Sequence, residues 1–190
     1  TNIEDKGYSS YVADAIYCND RSIANDSATN SMLTKVDSSY INTGLGYGIN
    51  TTAYGGFKRN WVDHTPSLKC PNNNDKFTKS STLGNGKLTY PVALITSDEI
   101  AYAGGFAYNY NTSSYIANTE FYLHTSSYYY WTLTPWAFAG GYSSVDDWSV
   151  AGGLGWNFVN DSNAARPAVS LLSDAITGGN GTMSNPFTVG

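Results

Sequence analysis

The stretch from 128 to 142, YYYWTLTPWAFAGGY, constrains this chain more than any other. Residues 128 to 135 alternate and are mostly aromatic or β-branched, which predicts a strand. Alternate side chains of a strand face opposite sides. Tyr129, Trp131 and Leu133 are therefore expected to share the core face, with Tyr128, Tyr130, Thr132 and Thr134 on the other. Pro135 is expected to end the strand. Beyond it, Trp136, Phe138, Tyr142, Trp148, Trp156 and Phe158 are scattered among Gly, Ala, Ser and Asp. Neither a helical nor a strand period gathers these six rings onto one face. Phe138 is assigned to the core, Trp148 is left open, and Trp136, Tyr142 and Trp156 are expected at the surface. An exposed aromatic cluster in a loop-rich region signals a contact surface.

The rest of the composition fits such a surface. Charged residues are only 13% of the 190-residue chain, about half the usual share. Its polar exterior must come mostly from Ser, Thr, Asn, Gly and Tyr, a mixture found in adaptable binding surfaces. The length suits one domain over 1–190. A net charge of −5 without a basic stripe argues against a nucleic-acid partner. No apolar run reaches the roughly 18 residues that a membrane-spanning helix needs. The chain begins with Thr1 and not Met, as expected of a mature form or an excised fragment, from which any export signal would be lost from view.

Cys18 and Cys70 are the two cysteines, and neither lies in a CxxC motif or beside a histidine pair. Metal binding is therefore not expected. In an exported chain the two are expected to pair; the alternative is two buried thiols. The pair brackets residues 24–56, rich in Asn, Ser, Thr and Gly and read as a long loop excursion.

Elsewhere the elements are short. YSSYVADAIYC at 8–18 reads as a strand or short helix, and LTYPVALIT at 88–96 as a buried strand. Thr96 with Glu99 three residues later forms the pattern of a capping box. That predicts one short helix, with Ile100 and Ala103 facing inward and Gly104-Gly105 ending it. RPAVSL at 166–171 and NPFTV at 185–189 read as further strands, the latter after a GGNG turn. The fold class is α+β: a small sheet, one or two short helices and long loops.

No catalytic constellation is apparent. His64 and His124 lie outside any HExxH, GxSxG or phosphate-loop pattern. Asp98 and Glu99 are adjacent on a helix and suit capping better than acid–base work. Asp146-Asp147, in a glycine-rich setting, reads either as a solvated loop tip or as a contributor to cation or sugar-hydroxyl binding.

The run WTLTPWAF, the later ARPAVSL, the GNGT turn and NPF resemble the C-terminal part of C-type-lectin-like domains related to the formylglycine-generating-enzyme group. AIYCNDRS, SLKCPNNNDKFT and LTYPVALITSDEIAYAGG are similar to members of the same group, so the resemblance spans most of the chain. Such domains occur in bacterial surface and pilin-type proteins. The resemblance implies a small twisted antiparallel sheet. It also implies that 136–163 corresponds to the segment that relatives attached to diversity-generating retroelements vary to display a ligand-binding surface. The Trp residues of 136–163 are not reached by that mutagenesis from an Asn codon. Both cysteines fall in the first 70 residues, unlike the catalytic pair of the enzyme group, and the calcium-lectin motifs EPN, QPD and WND are absent.

The expected protein is thus a non-catalytic module at a bacterial surface or pilus, without a cofactor, binding a protein or glycan on another cell. Its candidate contact residues are Trp136, Ala137, Ala139, Tyr142, Ser144, Asp146, Asp147, Trp148, Trp156, Asn157, Phe158 and Asn160. The alternative is a pilin or fibre subunit whose aromatic loops make subunit contacts. Arg166 is expected to tie the two ends of the variable segment together.

Overall fold

A computed structural model describes residues 5–24, 26–36, 51–105, 117–182 and 184–190. Its strands in chain order are β1 (Tyr17–Cys18), β2 (Ile23–Ala24), β3 (Thr52–Tyr54), β4 (Lys76–Phe77), β5 (Ala93–Leu94), β6 (Tyr130–Ala139), β7 (Tyr142–Ser149), β8 (Gly153–Phe158), β9 (Pro167–Ala168), β10 (Ile176–Gly178) and β11 (Thr188–Val189). The helices are α1 (Ser27–Val36), α2 (Gly55–Phe57), which runs on as a π-helix over Lys58–Asp63, and α3 (Ser97–Tyr102). The α+β class holds, with antiparallel pairing between all these strands.

The central sheet has the order β2-β3-β6-β7-β8. Its backbone is the meander β6-β7-β8. Gly140 and Gly141, at φ 58° and 87°, make the two-residue turn from Ala139 to Tyr142. Two successive left-handed residues are what a tight hairpin matched to strand twist requires, and glycine adopts them without steric cost. The segment 136–163, expected as loops, is therefore mostly sheet.

Pro135 does not end β6; the strand continues through it to Ala139. Pro135 lies opposite Val145 and Ala137 opposite Ser144, so β6 carries one extra residue there. Trp136 and Ala137 are consecutive and both are fully buried. This bulge breaks the alternation, because an inserted residue changes which side chains follow on each face. It explains why no single period collects the rings after Pro135.

The helical layer covers one face of the sheet, formed by Tyr130, Trp136, Ala137, Trp148 and Leu154. Leu33 of α1, Phe57 and Trp61 of α2 and its π continuation, and Ile100 of α3 complete the core. The Phe57 ring meets Trp136 edge-on at 5.0 Å, and Trp61 meets it edge-on at 6.2 Å.

The core face of β6 is the reverse of the one expected. Tyr130, Thr132 and Thr134 are buried, Trp131 and Leu133 are half-buried, and Tyr129 is exposed. The threonines tolerate burial because their hydroxyls are used. Thr132 Oγ1 donates to the Asp146 carbonyl at 2.7 Å, and Thr134 Oγ1 accepts from Ser97 N at 3.0 Å. Phe138, expected in the core, is half-buried.

Other expectations fare unevenly. The capping box forms: Thr96 Oγ1 accepts from Glu99 N, and the Glu99 carboxylate accepts from Thr96 N at 2.7 Å. Ile100 is buried, but Ala103 is exposed at the helix end, where Gly104 turns left-handed at φ 95°. The 88–96 segment is a strand only at Ala93–Leu94 and is half-buried there, pairing with β9. The 24–56 excursion holds a ten-residue helix, α1, and β3; its part at 37–50 lies outside the described residues. Cys18 and Cys70 do form a disulfide across 52 positions. Closing a loop of that size stabilises by about 4 kcal/mol in the chain-entropy treatment. Among the described residues no helix is long and apolar enough to cross a membrane.

Arg59, in the π-helix, holds the helical layer to the N-terminal loops. Its Nε and Nη2 donate in parallel to the two oxygens of Asp98 at 2.9 Å each, while Nη1 reaches Asp20 at 2.5 Å. Burial works against the guanidinium charge, but the Asp98 and Asp20 carboxylates outweigh it and hold the group protonated. Asp20 and Asp98 are 3% and 4% exposed. Arg59→Met would strand both as buried carboxylates, at a cost of roughly 3–5 kcal/mol. Urea unfolding of the variant should show a loss of unfolding free energy of that size; a loss near zero would mean that the Arg59 contacts carry no stability.

Candidate functional site

The candidate residues divide sharply. Trp136, Ala137, Asp146, Asp147 and Trp148 are completely buried, and Ser144 and Ala139 nearly so. Their places are structural. Ser144 Oγ donates to the Ala137 carbonyl at 2.9 Å across the bulge. Trp148 packs on Phe121 at 4.8 Å and donates from its indole to Nδ1 of His124 at 3.4 Å. Tyr142 and Asn160 are exposed, while Trp156, Asn157 and Phe158 are half-buried on β8.

The Asp146-Asp147 pair is neither a loop tip nor a solvent-facing site. As neighbours on β7 the two point to opposite faces. Asp146, on the helical side, accepts from Trp61 Nε1 at 3.0 Å and from Ser97 Oγ at 2.5 Å. Its burial pushes the carboxyl well above the usual range, only partly offset by those two donors. Asp147, on the other face, accepts from Asn157 Nδ2 and, at 2.8 Å, from Asn163 Nδ2. Burial is the largest influence and the two amides oppose it, with the net result pushed up to about 6. The carboxylate fits because Gly155 lies beside it; a Cβ there would stand 2.6 Å from Oδ1.

What reaches the surface is the end of an aromatic ladder. Trp156 stacks on Trp136 at 4.6 Å with planes 13° apart. Phe158 meets Trp156 edge-on at 5.7 Å, and Tyr142 leans on Phe158 at 5.2 Å. The strand register builds this. Asp146 opposes Trp156 and Ser144 opposes Phe158, so the β8 rings lie on the side of the sheet that carries Trp136. The ladder passes from buried Trp61 and Trp136 through half-buried Trp156 and Phe158 to Tyr142, 54% exposed. Val159, 57% exposed and outside the candidate set, follows Phe158 and donates its N–H to the Ser143 carbonyl. The signal for this arrangement was present: Gly-Gly between two alternating runs marks a hairpin, which pairs Ala139 with Tyr142.

Arg166 does not bind the two ends of the segment directly. Its Nη1 donates to the Leu123 carbonyl at 2.5 Å, and its guanidinium lies 4.7 Å from the Tyr130 ring centre. The ends are joined instead by backbone. Trp131 N donates to Ala164 O and Ala164 N to Tyr129 O, each at 2.9 Å.

Among the described residues no group of three or more His, Cys, Asp or Glu is arranged to hold a metal ion. Comparison of the chain with protein-family models, with curated proteins and with solved structures finds no match.

Two predictions follow from burial. Trp136→Ala empties the site where Phe57, Trp61 and Trp156 meet and should cost about 3–5 kcal/mol in denaturant unfolding; a cost below about 1 kcal/mol would restore the surface assignment. Asp147 binds its proton more tightly folded than unfolded, so its contribution is largest at acid pH and is lost as pH rises through about 6. Relative to Asp147→Asn, the unmodified chain should gain on the order of 2 kcal/mol between pH 7.5 and 4. Parallel pH curves for the two proteins would contradict this.

Proposed function

We propose that the chain is a non-catalytic binding module of a bacterial surface or pilus, which engages a protein or glycan on a facing surface through the outer end of the β7–β8 hairpin. The observation that carries this reading is the stacked ladder ending in Tyr142 and Phe158. Rings held by neighbours behind them lose little conformational freedom on binding, which favours aromatic anchors at contact surfaces. Exposed Asn160, two positions beyond Phe158, supplies a hydrogen-bonding group at the rim.

The contact region is narrower than 136–163. It comprises Tyr142, Phe158 and Asn160, backed by Trp156; the remaining candidates belong to the frame. The disulfide suits the oxidising surroundings of an exported protein. The antiparallel sheet with few short helices supports the C-type-lectin-like assignment at the level of architecture. Programmed diversification belongs to the same proposal. Mutagenesis confined to exposed codons such as those of Tyr142 and Asn160 would be compatible with the frame.

The fibre-subunit reading draws on β8 itself, one of the two outer strands of the central sheet among the described residues. An outer strand offers backbone groups for pairing with another chain. Sedimentation velocity across a hundredfold concentration range separates the two readings: a constant monomer favours the binding module, and growing oligomers favour the fibre.

The binding module is tested by Tyr142→Ala in adhesion of labelled protein to cells and to an immobilised glycan panel. The variant should keep its unfolding free energy within about 0.5 kcal/mol, as expected of an exposed side chain. It should lose at least tenfold in binding to whichever surface the unmodified protein prefers. Undiminished adhesion would reject the assignment.

A further inference from the structure

A second site lies away from the aromatic ladder. A cavity of about 670 Å³ is lined by Tyr17, Glu99, Tyr122, Tyr130, Arg166 and Pro167, among others. That volume falls within the roughly 300–1,000 Å³ of small-ligand sites.

The chemistry of its wall is incomplete as it stands. Arg21, Lys58 and Arg59 each meet a carboxylate. Arg166 meets none among the described residues, although the chain carries a net charge of −5. Glu99, on the same wall, is committed to Thr96 N at 2.7 Å and Thr96 Oγ1 at 2.9 Å. A guanidinium carries five N–H donors; Arg166 gives Nη1 to Leu123 O and lies close to the Tyr130 hydroxyl. The Tyr130 face, 4.7 Å from its carbon, and Tyr128 at 5.9 Å hold the group in place. Although Arg166 lies near it, no well-formed hydrogen bond among the described residues reaches the buried Tyr130 hydroxyl. Burial pushes its pKa up to about 12, so it is a neutral donor at physiological pH.

Around this polar point the surfaces are flat or apolar. Leu94, Ile95 and Val169 line the interior. Tyr122 stands at the wall 72% exposed, braced by Phe121 at 4.9 Å, whose own ring packs on Trp148. The free edge of a guanidinium matches a carboxylate. A single cation suits a monoanion better than a phosphate dianion, and an acidic protein repels polyanions. Tyrosine faces and aliphatic walls suit the C–H face of a saturated ring carrying that carboxylate.

We propose that this cavity binds a carboxylate-bearing sugar, with Arg166 taking the carboxylate and Tyr122 lying against the ring. The site shares no residue with the Tyr142–Phe158 patch, so it stands or falls separately from it.

The test is titration of ¹⁵N-labelled protein with glucuronic acid, glucose and acetate, followed by chemical shifts of the Arg166 Nε–H and of the Tyr122, Leu123 and Ala168 amides. Glucuronic acid should give saturable shifts at these positions, with glucose and acetate each at least tenfold weaker. Arg166→Gln keeps a donor for Leu123 O and should weaken glucuronic acid at least tenfold, while Tyr142→Ala leaves it unchanged. Should Arg166→Gln fail to fold, Arg166→Lys retains the charge without the fork and should still weaken binding severalfold. Absence of saturable shifts, binding unaffected by either Arg166 variant, or acetate matching glucuronic acid would overturn the proposal.

Discussion

Two hydrogen bonds to one buried carboxylate tie the two layers of this protein together. Asp146 on the middle of β7 takes the indole N–H of Trp61 from the π-helix and the hydroxyl of Ser97 from the start of α3. Removing a carboxylate from water is costly, and the cost is contained only when its oxygens are bonded. These bonds therefore specify where both helices sit on the sheet. Trp61 is thereby placed edge-on to Trp136, and Ile100 of α3 lies in the same core. Trp136 in turn supports the Trp156 ring and everything beyond it. The outward aromatic surface rests on an inward polar contact.

The same frame separates roles that proximity in sequence would merge. Asp146 and Asp147 are neighbours, yet one anchors the helical layer and the other gathers Asn157 and Asn163 on the far face. Trp136 and Tyr142 lie six positions apart on either side of a tight turn, yet one is core and the other is surface. Little of the aromatic segment reaches the surface because the meander consumes most of it for its own stability.

Local features were legible in the sequence. The capping box at Thr96 and Glu99, the stop at Gly104 and the strand beginning near Tyr130 all depend on residues within a few positions of one another. The bulge at Trp136 was not legible, because it is expressed only in the register against Ser144 and Val145. Nor was the core face of β6. Hydropathy favours Trp131 and Leu133 over Thr132 and Thr134, but the threonines are bonded by groups that only the fold brings near. Arg59 reaches partners 39 positions away in both directions, so its role has no local sign at all. Of the candidate residues, Tyr142 and Asn160 are exposed and Phe158 is half-buried, whereas Trp136, expected at the surface with Pro135 as the end of the strand, is buried in a strand that continues through it.

The most direct test of this account is hydrogen exchange of the Trp61 indole N–H. If the bond to Asp146 anchors the helical layer, that proton exchanges only through global unfolding, and its protection free energy equals the unfolding free energy from denaturant. Exchange through a local opening, with protection well below the global value, would show that the π-helix leaves the sheet independently, and that Asp146 does not hold the layers together.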